Sequence, residues 1–394
     1  MVSREIVKGI YWVGAIDFDR RLFDELIPLP NGTSYNSYLI RGSEKTALID
    51  TVDPTKEFEL ISNIVKLNID HIDYVIVNHA EQDHSGSLPM ILEFLPDAVV
   101  VTNEKCRDLL IALLHLPVNR FRIIKDKETL SLGDRTLEFF FTPWTHWPET
   151  QITYLREDKI LFSCDLFGSH TGTSDLYVIN EAEIYRSAKR YYAEIMMPFR
   201  NSIKGHVETV KSLPLAMIAP SHGPIYPRPQ FILDAYADWV SDAVKNEVVI
   251  VYVSMHGSTQ KMVEHLTDAL IARGITVKPF NLTRTDIGEL AQSLVDTATV
   301  VIATPTVIFG PHPQVVYATY LANLLKPKVR FASVIGSYGW GGKSVETIVK
   351  MLDHVKVELI EPVMVKGLPD ETTFQALDRL AEDILKKHKD SNLV

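Results

Sequence analysis

The amino-acid sequence predicts two domains that both mix helices with strands: a layered pair of sheets in the first half and a doubly wound parallel sheet in the second. The length of 394 residues, with 46% apolar and 23% charged residues, is more than one small core requires. Short β-type runs follow one another closely up to about residue 165. After Glu247 strands alternate with helices, which is typical of a parallel sheet covered on both faces.

Short apolar runs in the first half predict strands separated by turns. Their density, with few helical patterns between them, favours an antiparallel domain of two layered sheets. The predicted strands cover residues 10–16, 36–42, 45–51, 74–79, 98–103, 121–126, 136–142, 151–157 and 159–165. Helical patterns follow over residues 181–211 and 230–245. We therefore predict a first domain of residues 1–246 and a second domain of residues 247–394.

The second half predicts five strands that alternate with helices. The strands cover residues 247–254, 275–282, 297–306, 329–338 and 357–365. The helices cover residues 258–274, 315–325, 343–354 and 371–387, and the last seven residues are expected to fray. This order predicts a doubly wound α/β domain.

Composition excludes several classes of protein. The formal charge of -10 argues against nucleic acid or an anionic membrane as a partner and suits a basic docking partner. No apolar run approaches the ~18 residues of a membrane span, and charged residues interrupt the first fourteen, so we expect a cytoplasmic protein. Two cysteines, Cys106 and Cys164, cannot form a disulfide framework or a four-thiolate metal site.

A cluster of metal-binding residue types directly follows the predicted strand 74–79. His79, Glu81, Asp83 and His84 lie within six residues, at a strand end that opens into a turn. Side chains so placed can converge on one point. A lone histidine here would more often be structural, but four candidate ligands together favour a metal site.

Three further candidates each lie at or just past the end of an apolar stretch. These are His146, Asp165 and His222, and singly they could be a packed ring, a helix cap and a turn residue. Together with the first four they complete a dinuclear set. The seven divide into His79, Glu81 and His146 on one metal and Asp83, His84 and His222 on the other, with Asp165 bridging. Two imidazoles and carboxylate oxygens with an open position are the ligands that non-haem iron uses for oxygen chemistry.

At this point the first half resembles the metallo-β-lactamase fold, an αββα sandwich whose hydrolases carry H-x-H-x-D-H and bind zinc. Here Glu81 replaces the second histidine, giving H-x-E-x-D-H. A hard anionic oxygen in place of a borderline nitrogen favours iron over hydrolytic zinc. A dinuclear zinc hydrolase with an appended flavodoxin-like domain stays open as the alternative.

Three loops of the second half follow predicted strands at the edge where doubly wound sheets bind ligands. The first enters a helix at once and offers hydroxyl and amide donors for a phosphate, without the lysine of a P-loop. The others contain glycines for close approach and aromatic residues that could flank a flat ring. The candidate residues are Ser254, Met255, His256, Gly257, Ser258 and Thr259, then Thr304, Pro305, Thr306, Val307 and Gly310, and finally Ser337, Tyr338, Gly339, Trp340, Gly341 and Gly342.

The second half resembles flavodoxin, and nearly the whole chain is similar to the flavodiiron proteins, also called A-type flavoproteins. The metal motif, the later His, Asp and His, and the three loops stand in that family's order. The resemblance implies that the seven residues bind two iron ions and that the three loops bind FMN. Family members commonly have two asparagines where this chain has Ile308 and Phe309, so polar side-chain contacts to the flavin are not predicted there.

The resemblance also implies a function. FMN would collect electrons from a rubredoxin-like or other small electron-donor protein, and the di-iron pair would reduce dioxygen to water or nitric oxide to nitrous oxide. A head-to-tail homodimer, or a dimer of such dimers, is implied as well. The sequence has no rubredoxin-like C-x-x-C pair, so we expect a separate donor protein. A rival hypothesis is an electron carrier that is not an enzyme, in which His146→Ala would leave function intact.

Residues around the predicted metals are expected to orient the ligands. Asp50 ends an early strand and Glu149 follows His146 closely, so both could bind a ligand imidazole. His170 and Tyr192 are weaker candidates for the substrate pocket. Cys164 adjoins Asp165 among apolar neighbours, which is typical of a buried, unreactive thiol.

Overall fold

The computed structural model describes residues 2–69 and 71–394. Contacts between residues divide this part of the chain into two compact units. The first unit comprises the residues up to Tyr192 together with Phe199–Val240. The second comprises Ala193–Pro198 together with Ser241–Val394.

The first unit is built on two main sheets. Its strands are β1 (Arg4–Val7), β2 (Ile10–Trp12), β3 (Ala15–Asp17), β4 (Leu22–Phe23), β5 (Ile27–Pro28), β6 (Thr33–Tyr35), β7 (Tyr38–Arg41), β8 (Thr46–Ile49), β9 (Tyr74–Ile76), β10 (Val99–Thr102), β11 (Phe121–Ile123), β12 (Thr129–Ser131), β13 (Thr136–Phe141), β14 (Gln151–Leu155), β15 (Ile160–Cys164) and β16 (Met217–Pro220). The sheet orders are β1-β2-β7-β8-β9-β10-β11 and β12-β13-β14-β15-β16, and β3-β6 and β4-β5 form separate pairs.

Helices of the first unit connect these strands. They are α1 (Glu57–Lys66), α2 (Gln82–Ser85), α3 (Leu88–Phe94), α4 (Glu104–Leu114), α5 (Glu181–Tyr191), α6 (Arg200–Lys211) and α7 (Pro229–Trp239). The expectation of an antiparallel domain with few helices is wrong for the first sheet, because β8, β9, β10 and β11 run parallel. Parallel neighbours need crossover connections, and α1 to α4 supply them.

Two apolar cores hold the first sheet. Between the sheets, Trp12 and Ile40 pack in one cluster with Phe139 and Phe162 of the second sheet. On the other face of the first sheet, side chains of β8 to β10 pack with α1, α3 and α4. Leu60, Ile91 and Leu110 of these three helices are buried there. Burial of each such side chain contributes about 1.5–3 kcal/mol to stability. Both faces of the first sheet are thus covered by apolar cores.

The second unit contains a parallel sheet of order β18-β17-β19-β21-β22, where β20 pairs with β19 and β23 with β21. The strands are β17 (Lys245–Tyr252), β18 (Thr276–Asn281), β19 (Thr297–Val307), β20 (Gly310–Pro311), β21 (Phe331–Tyr338), β22 (Glu358–Leu359) and β23 (Val363–Lys366). The helices are α8 (Ser258–Ile271), α9 (Ile287–Leu294), α10 (Pro313–Leu325), α11 (Ser344–Met351) and α12 (Glu371–Asp390). This is the doubly wound order predicted from the sequence.

Side chains of β17 alternate between two cores on the two faces of this sheet. Val248 and Ile250 pack with α8 and α12. Val249 and Val251 pack with α9, α10 and α11. The helices on both faces explain why the strand reads as a continuous apolar run.

The last helix is longer than predicted. It extends to Asp390 and its residue His388 is buried. The ring nitrogens of His388 lie 2.7 Å from Thr299 Oγ1 and 2.7 Å from Asn246 Oδ1. These contacts hold residues that were expected to fray. No helix within residues 2–69 and 71–394 combines the length and apolar character that crossing a membrane requires.

Candidate functional site

The predicted metal ligands all lie at one edge of the first unit, where strands end. His79 and Glu81 follow β9, Asp83 and His84 lie on α2, and His146 lies between β13 and β14. Asp165 follows β15 directly, and His222 comes two residues after β16. Since β15 and β16 are parallel and β14 runs antiparallel to β15, these last connections share an edge of the second sheet.

The structure brings the first predicted group together. One ligand atom from each of His79, Glu81, His146 and Asp165 lies within 4.8 Å of the others. Glu81 Oε2 is 3.1 Å from the Nε2 atoms of both His79 and His146. The two Nε2 atoms are 3.2 Å apart, and His146 Nε2 is 3.1 Å from Asp165 Oδ2.

The second predicted group adjoins the first. Ligand atoms of Asp83, His84 and His222 also lie within 4.8 Å of one another. Asp83 lies 3.2 Å from the Nε2 atom of each histidine, through Oδ1 to His84 and Oδ2 to His222. Asp165 Oδ1 is 3.1 Å and 3.3 Å from the same two nitrogens. Asp165 therefore turns one oxygen toward each group, as a bridging carboxylate must.

Several polar atoms of the second group are left without hydrogen-bond partners. Both Asp83 oxygens and His84 Nε2 are buried and form no hydrogen bond among the described residues, although Asp83 Oδ1 lies only 3.2 Å from His84 Nε2. Such buried atoms are costly unless an unseen partner satisfies them. Two neutral imidazole nitrogens at 3.2 Å would also repel through their lone pairs. The donor set, rich in nitrogen and carboxylate oxygen, fits a pair of divalent cations.

Without metal, the charges at the site hold protons on the histidines. Burial would lower the pKa of His146, but Asp165 and Glu81 together raise it to about 9. Burial likewise opposes protonation of His222, yet Asp165 and Asp83 raise its pKa to about 10. Conversely, the neighbouring histidines lower the pKa of Asp165 well below the ordinary value, against the effect of its burial. The Asp165 carboxylate is therefore ionised and ready to bind cations.

Hydrogen bonds on the outer side orient two of the imidazoles. His79 Nδ1 donates to Glu149 Oε1 at 2.7 Å, and Glu149 also accepts from the Ala80 amide at 3.0 Å. His222 Nδ1 donates to the Ser34 carbonyl at 2.7 Å. These hydrogen bonds keep a proton on Nδ1 of each ring, so that Nε2 is the atom that loses its proton and presents a lone pair when a metal binds. Glu149 thus takes the position predicted for it.

Asp50 does not reach an imidazole in this arrangement. It accepts from the Asn78 amide at 2.7 Å and from Asn78 Nδ2 at 2.9 Å. Asn78 directly precedes His79, so Asp50 fixes the backbone from which the first ligand projects.

One residue at the site was missed by the sequence analysis. Tyr191 Oη donates to Asp165 Oδ1 at 2.8 Å, whereas the neighbouring Tyr192, which had been the candidate, donates to the Trp239 carbonyl at 3.3 Å. The ring of His170 lies 4.9 Å from those of both Tyr191 and His222, measured between centroids. His170 thus borders the site, as predicted, and its buried Nε2 forms no hydrogen bond within the described chain.

Cys164 lies closer to the site than its apolar neighbours suggested. Its Sγ is within 4.8 Å of ligand atoms of His84 and Asp165. Burial raises the pKa of this thiol well above the ordinary value. A neutral, buried thiol is a poor ligand and nucleophile, in agreement with the predicted unreactive role.

In the second unit, the three predicted cofactor segments lie at the carboxyl ends of β17, β19 and β21, which are neighbours in the sheet. Thr304 to Val307 are the last residues of β19, and Ser337 and Tyr338 are the last of β21. The first loop leads into α8 through Gly257, whose φ of +87° suits glycine. Amides of the first helical turn have no intrahelical acceptors and can bind a phosphate. Thr259 Oγ1 lies 3.3 Å from Ser337 Oγ, which joins the first loop to the third. The structure therefore brings all three loops to one edge.

The second loop contains an unusual turn. Ile308 (φ +46°) and Phe309 (φ +68°) connect β19 to β20 as a two-residue hairpin, in which Val307 pairs with Gly310. Positive φ at both positions defines a type I′ turn, for which Asn-Gly is the favoured pair. A side chain in this region costs roughly 1–2 kcal/mol, and a β-branched one is rarer still. The turn type explains why asparagines suit these positions.

Two family models match the chain. Residues 33–223 match the ODP family beta lactamase, and residues 250–378 match flavodoxin. The first range contains all seven predicted ligands and the second contains all three loops.

Full-length relatives combine both parts. The chain is 38% identical to a nitric oxide reductase of Moorella thermoacetica over 90% of each chain. The structure of rubredoxin oxygen:oxidoreductase from Desulfovibrio gigas superimposes with a TM-score of 0.96 at 30% identity, covering 100% of both chains. The flavodiiron protein from Giardia intestinalis gives 0.91 at 29% identity, covering 98% of this chain and 97% of that one. On these relationships and this site, the chain belongs to the flavodiiron protein family.

Proposed function

We propose that this flavodiiron oxidoreductase is a terminal reductase, in which FMN passes electrons from a donor protein to a di-iron site that reduces dioxygen to water, nitric oxide to nitrous oxide, or both. The observation that carries this proposal is the convergence of seven predicted ligands into two adjacent groups that share Asp165. The comparisons favour this oxidoreductase over the zinc hydrolase alternative. They also argue against a mere electron carrier.

We propose that the metals are iron and that each predicted residue serves as a ligand. His79, Glu81 and His146 would hold one ion, Asp83, His84 and His222 the other, and Asp165 both. Three carboxylates and four imidazoles form a mixed oxygen and nitrogen donor set, which suits non-haem iron. Bound there, two irons would supply two neighbouring redox centres with open positions for a diatomic gas.

The protein's own residues would fix and shield this centre. Glu149 and the Ser34 carbonyl keep His79 and His222 in the tautomer that binds metal. Tyr191 donates to the bridging carboxylate and so limits its rotation. Six of the seven proposed ligands have side chains that are at most 12% exposed and Glu81 is 13% exposed, so bulk water is largely excluded.

The substrate is tested by anaerobic stopped-flow mixing of the fully reduced protein with each gas. We expect at least one of the two gases to reoxidise the flavin on the time scale of the stopped-flow measurement. The product should be water from dioxygen or nitrous oxide from nitric oxide. One relative is named a nitric oxide reductase and another a rubredoxin oxygen:oxidoreductase, so both gases are proposed. A reduced, iron-loaded protein that reacts with neither gas would overturn the proposal. The matching control is the same protein loaded with zinc, which cannot change its oxidation state.

We propose a rubredoxin-like protein as the electron donor, supported by the name of the Desulfovibrio gigas relative. Anaerobic stopped-flow mixing of the oxidised protein with each reductant tests this: a reduced small donor protein should reduce the flavin at the rate of turnover, and NADH or NADPH alone should not. Flavin reduction by either nucleotide at the turnover rate would contradict it.

The remaining predictions of organisation are kept as proposals. We propose that residues 1–246 form the di-iron domain and residues 247–394 the FMN domain, and that two chains associate head to tail, singly or as a dimer of dimers. A cytoplasmic location is in keeping with the two unpaired cysteines, Cys106 and Cys164. Sedimentation of the purified chain measures the assembly directly.

Metal loading of the metal-free protein is expected to release protons at neutral pH. Carboxylates raise the pKa of His146 to about 9 and that of His222 to about 10 despite burial, and an imidazole must lose its proton to bind metal. Calorimetric titration of ferrous iron in two buffers of different ionisation enthalpy should therefore show release of at least about two protons per chain. Identical heats in both buffers would contradict the prediction.

The same shifts set the stability of the metal-free protein. The folded pKa values of His146 and His222 lie above the ordinary histidine value near 6.5. The stabilisation that these two protonated rings give the folded, metal-free protein is therefore fully present below about pH 6.5 and is lost as pH rises through 9 and 10. The melting temperature of the metal-free protein should fall over this window, and that of the iron-loaded protein should fall less.

A further inference from the structure

The tip of the β19–β20 hairpin carries two apolar side chains in positions that disfavour them. Ile308 is 84% exposed and Phe309 is 64% exposed, and both adopt left-handed backbone conformations. Neither the backbone nor burial within the second unit accounts for these residue types. Conformations of this kind collect at binding sites, where a ligand contact offsets their energetic cost.

Phe309 is held in place by the third loop. Its ring meets that of Trp340 edge to face, with centroids 4.7 Å apart and planes at 81°. Its carbonyl accepts from the Lys343 amide at 3.1 Å. Trp340 is itself 63% exposed, so the two rings form a pre-arranged apolar surface that is open on one side.

This surface lies beside the polar part of the cofactor loops. Thr306, two residues before the turn, has its hydroxyl 3.1 Å from that of Ser344, and the third loop is joined to the first by Thr259 and Ser337. Hydroxyl and amide donors thus lie at the loop that enters α8, and apolar rings lie at the tips of the other two loops. A ligand with a phosphate at one end and a flat aromatic system at the other matches this division.

We propose that Ile308, Phe309 and Trp340 form an apolar clamp against the isoalloxazine ring of FMN. The inference rests on the proposed function, since it requires that FMN is the cofactor. Reduction of FMN adds two electrons and one proton and leaves the ring anionic. An apolar neighbour provides no hydrogen bond to that charge. The clamp therefore binds the oxidised ring more tightly than the reduced ring, which lowers the flavin's reduction potential.

The test is the double substitution Ile308→Asn with Phe309→Gly, which builds the favoured type I′ pair into the full-length chain. After removal and re-addition of FMN, we expect a higher melting temperature of the FMN-free protein, affinity for FMN weaker by about tenfold, and a more positive potential. Trp340→Ala should weaken FMN binding without the gain in stability. Tyr320→Ala, which removes an exposed aromatic residue of α10 outside the loops, is the matched control and should change neither property.

The outcomes separate the clamp from the proposed function. If the unmodified chain binds FMN and the double variant binds it with equal affinity and potential, the clamp is wrong and the proposed function stands. If the unmodified chain binds no FMN, both are wrong. Greater stability combined with weaker FMN binding supports the clamp, because a purely structural turn would gain stability alone.

Discussion

Replacement of Asp165 by alanine is expected to remove both metals and to abolish gas reduction. One carboxylate oxygen of Asp165 lies 3.1 Å from His146 in the first group, and the other lies 3.1 Å from His84 in the second, so Asp165 connects the two groups. Loss of a residue that merely orients a ligand lowers affinity or activity roughly 10- to 100-fold, and loss of a shared ligand should exceed that range. Elemental analysis after anaerobic reconstitution, together with the steady-state rate, measures both effects.

The control substitution removes a carboxylate that lies in the same unit but at the opposite end of β9 from the site. Asp73 immediately precedes β9, while the ligands follow its other end, and it binds Lys45 Nζ at 2.7 Å. Asp73→Ala should therefore lower stability modestly and retain two irons per chain. If Asp165→Ala also retains two irons and normal turnover, the shared-ligand assignment is wrong.

The ligands could be found from the sequence because polar residues at strand ends have few other uses. His79, Asp165 and His222 follow runs in which nearly every side chain is buried, so chain direction alone places them at an edge. Tyr191 could not be found in this way. It lies at the end of α5, where consecutive residues point about 100° apart, and a choice between Tyr191 and Tyr192 requires the exact rotation of the helix.

The incorrect prediction of strand direction in the first sheet has one origin. Helices α1 and α4 were not predicted, and without crossover helices the strands that they connect could only be read as antiparallel. Only some residues of each helix are buried, among them Leu60 and Ile64 of α1, so their apolar faces are narrow beside the long strand runs. The fold class of the second unit was predicted correctly, and its long helices α8 and α12 bury wide apolar faces. Helix α9 was missed, and the predicted strand 357–365 is divided into β22 and β23.

Replacement of Glu81 by histidine is expected to change which metal the site selects. The substitution recreates the H-x-H-x-D-H motif and exchanges a charged oxygen, 3.1 Å from both His79 and His146 Nε2, for a neutral nitrogen. Zinc already binds nitrogen ligands more tightly than ferrous iron does, and loss of the anionic oxygen removes the ligand that best suits iron. We expect the ratio of bound zinc to bound iron to rise at least about tenfold, equivalent to about 1.4 kcal/mol.

The measurement is anaerobic competition between equal concentrations of ferrous iron and zinc, followed by elemental analysis and by assay of gas reduction. Glu81→Gln is the matched control, because it keeps an oxygen at this position and removes only the charge. If the charge governs selection, Glu81→Gln should shift the ratio as far as Glu81→His; if the ligand atom governs it, Glu81→Gln should shift it less. An iron-selective Glu81→His variant with normal gas reduction would contradict both explanations. It would mean that the six other ligands, and above all the shared Asp165, determine the redox chemistry of this site.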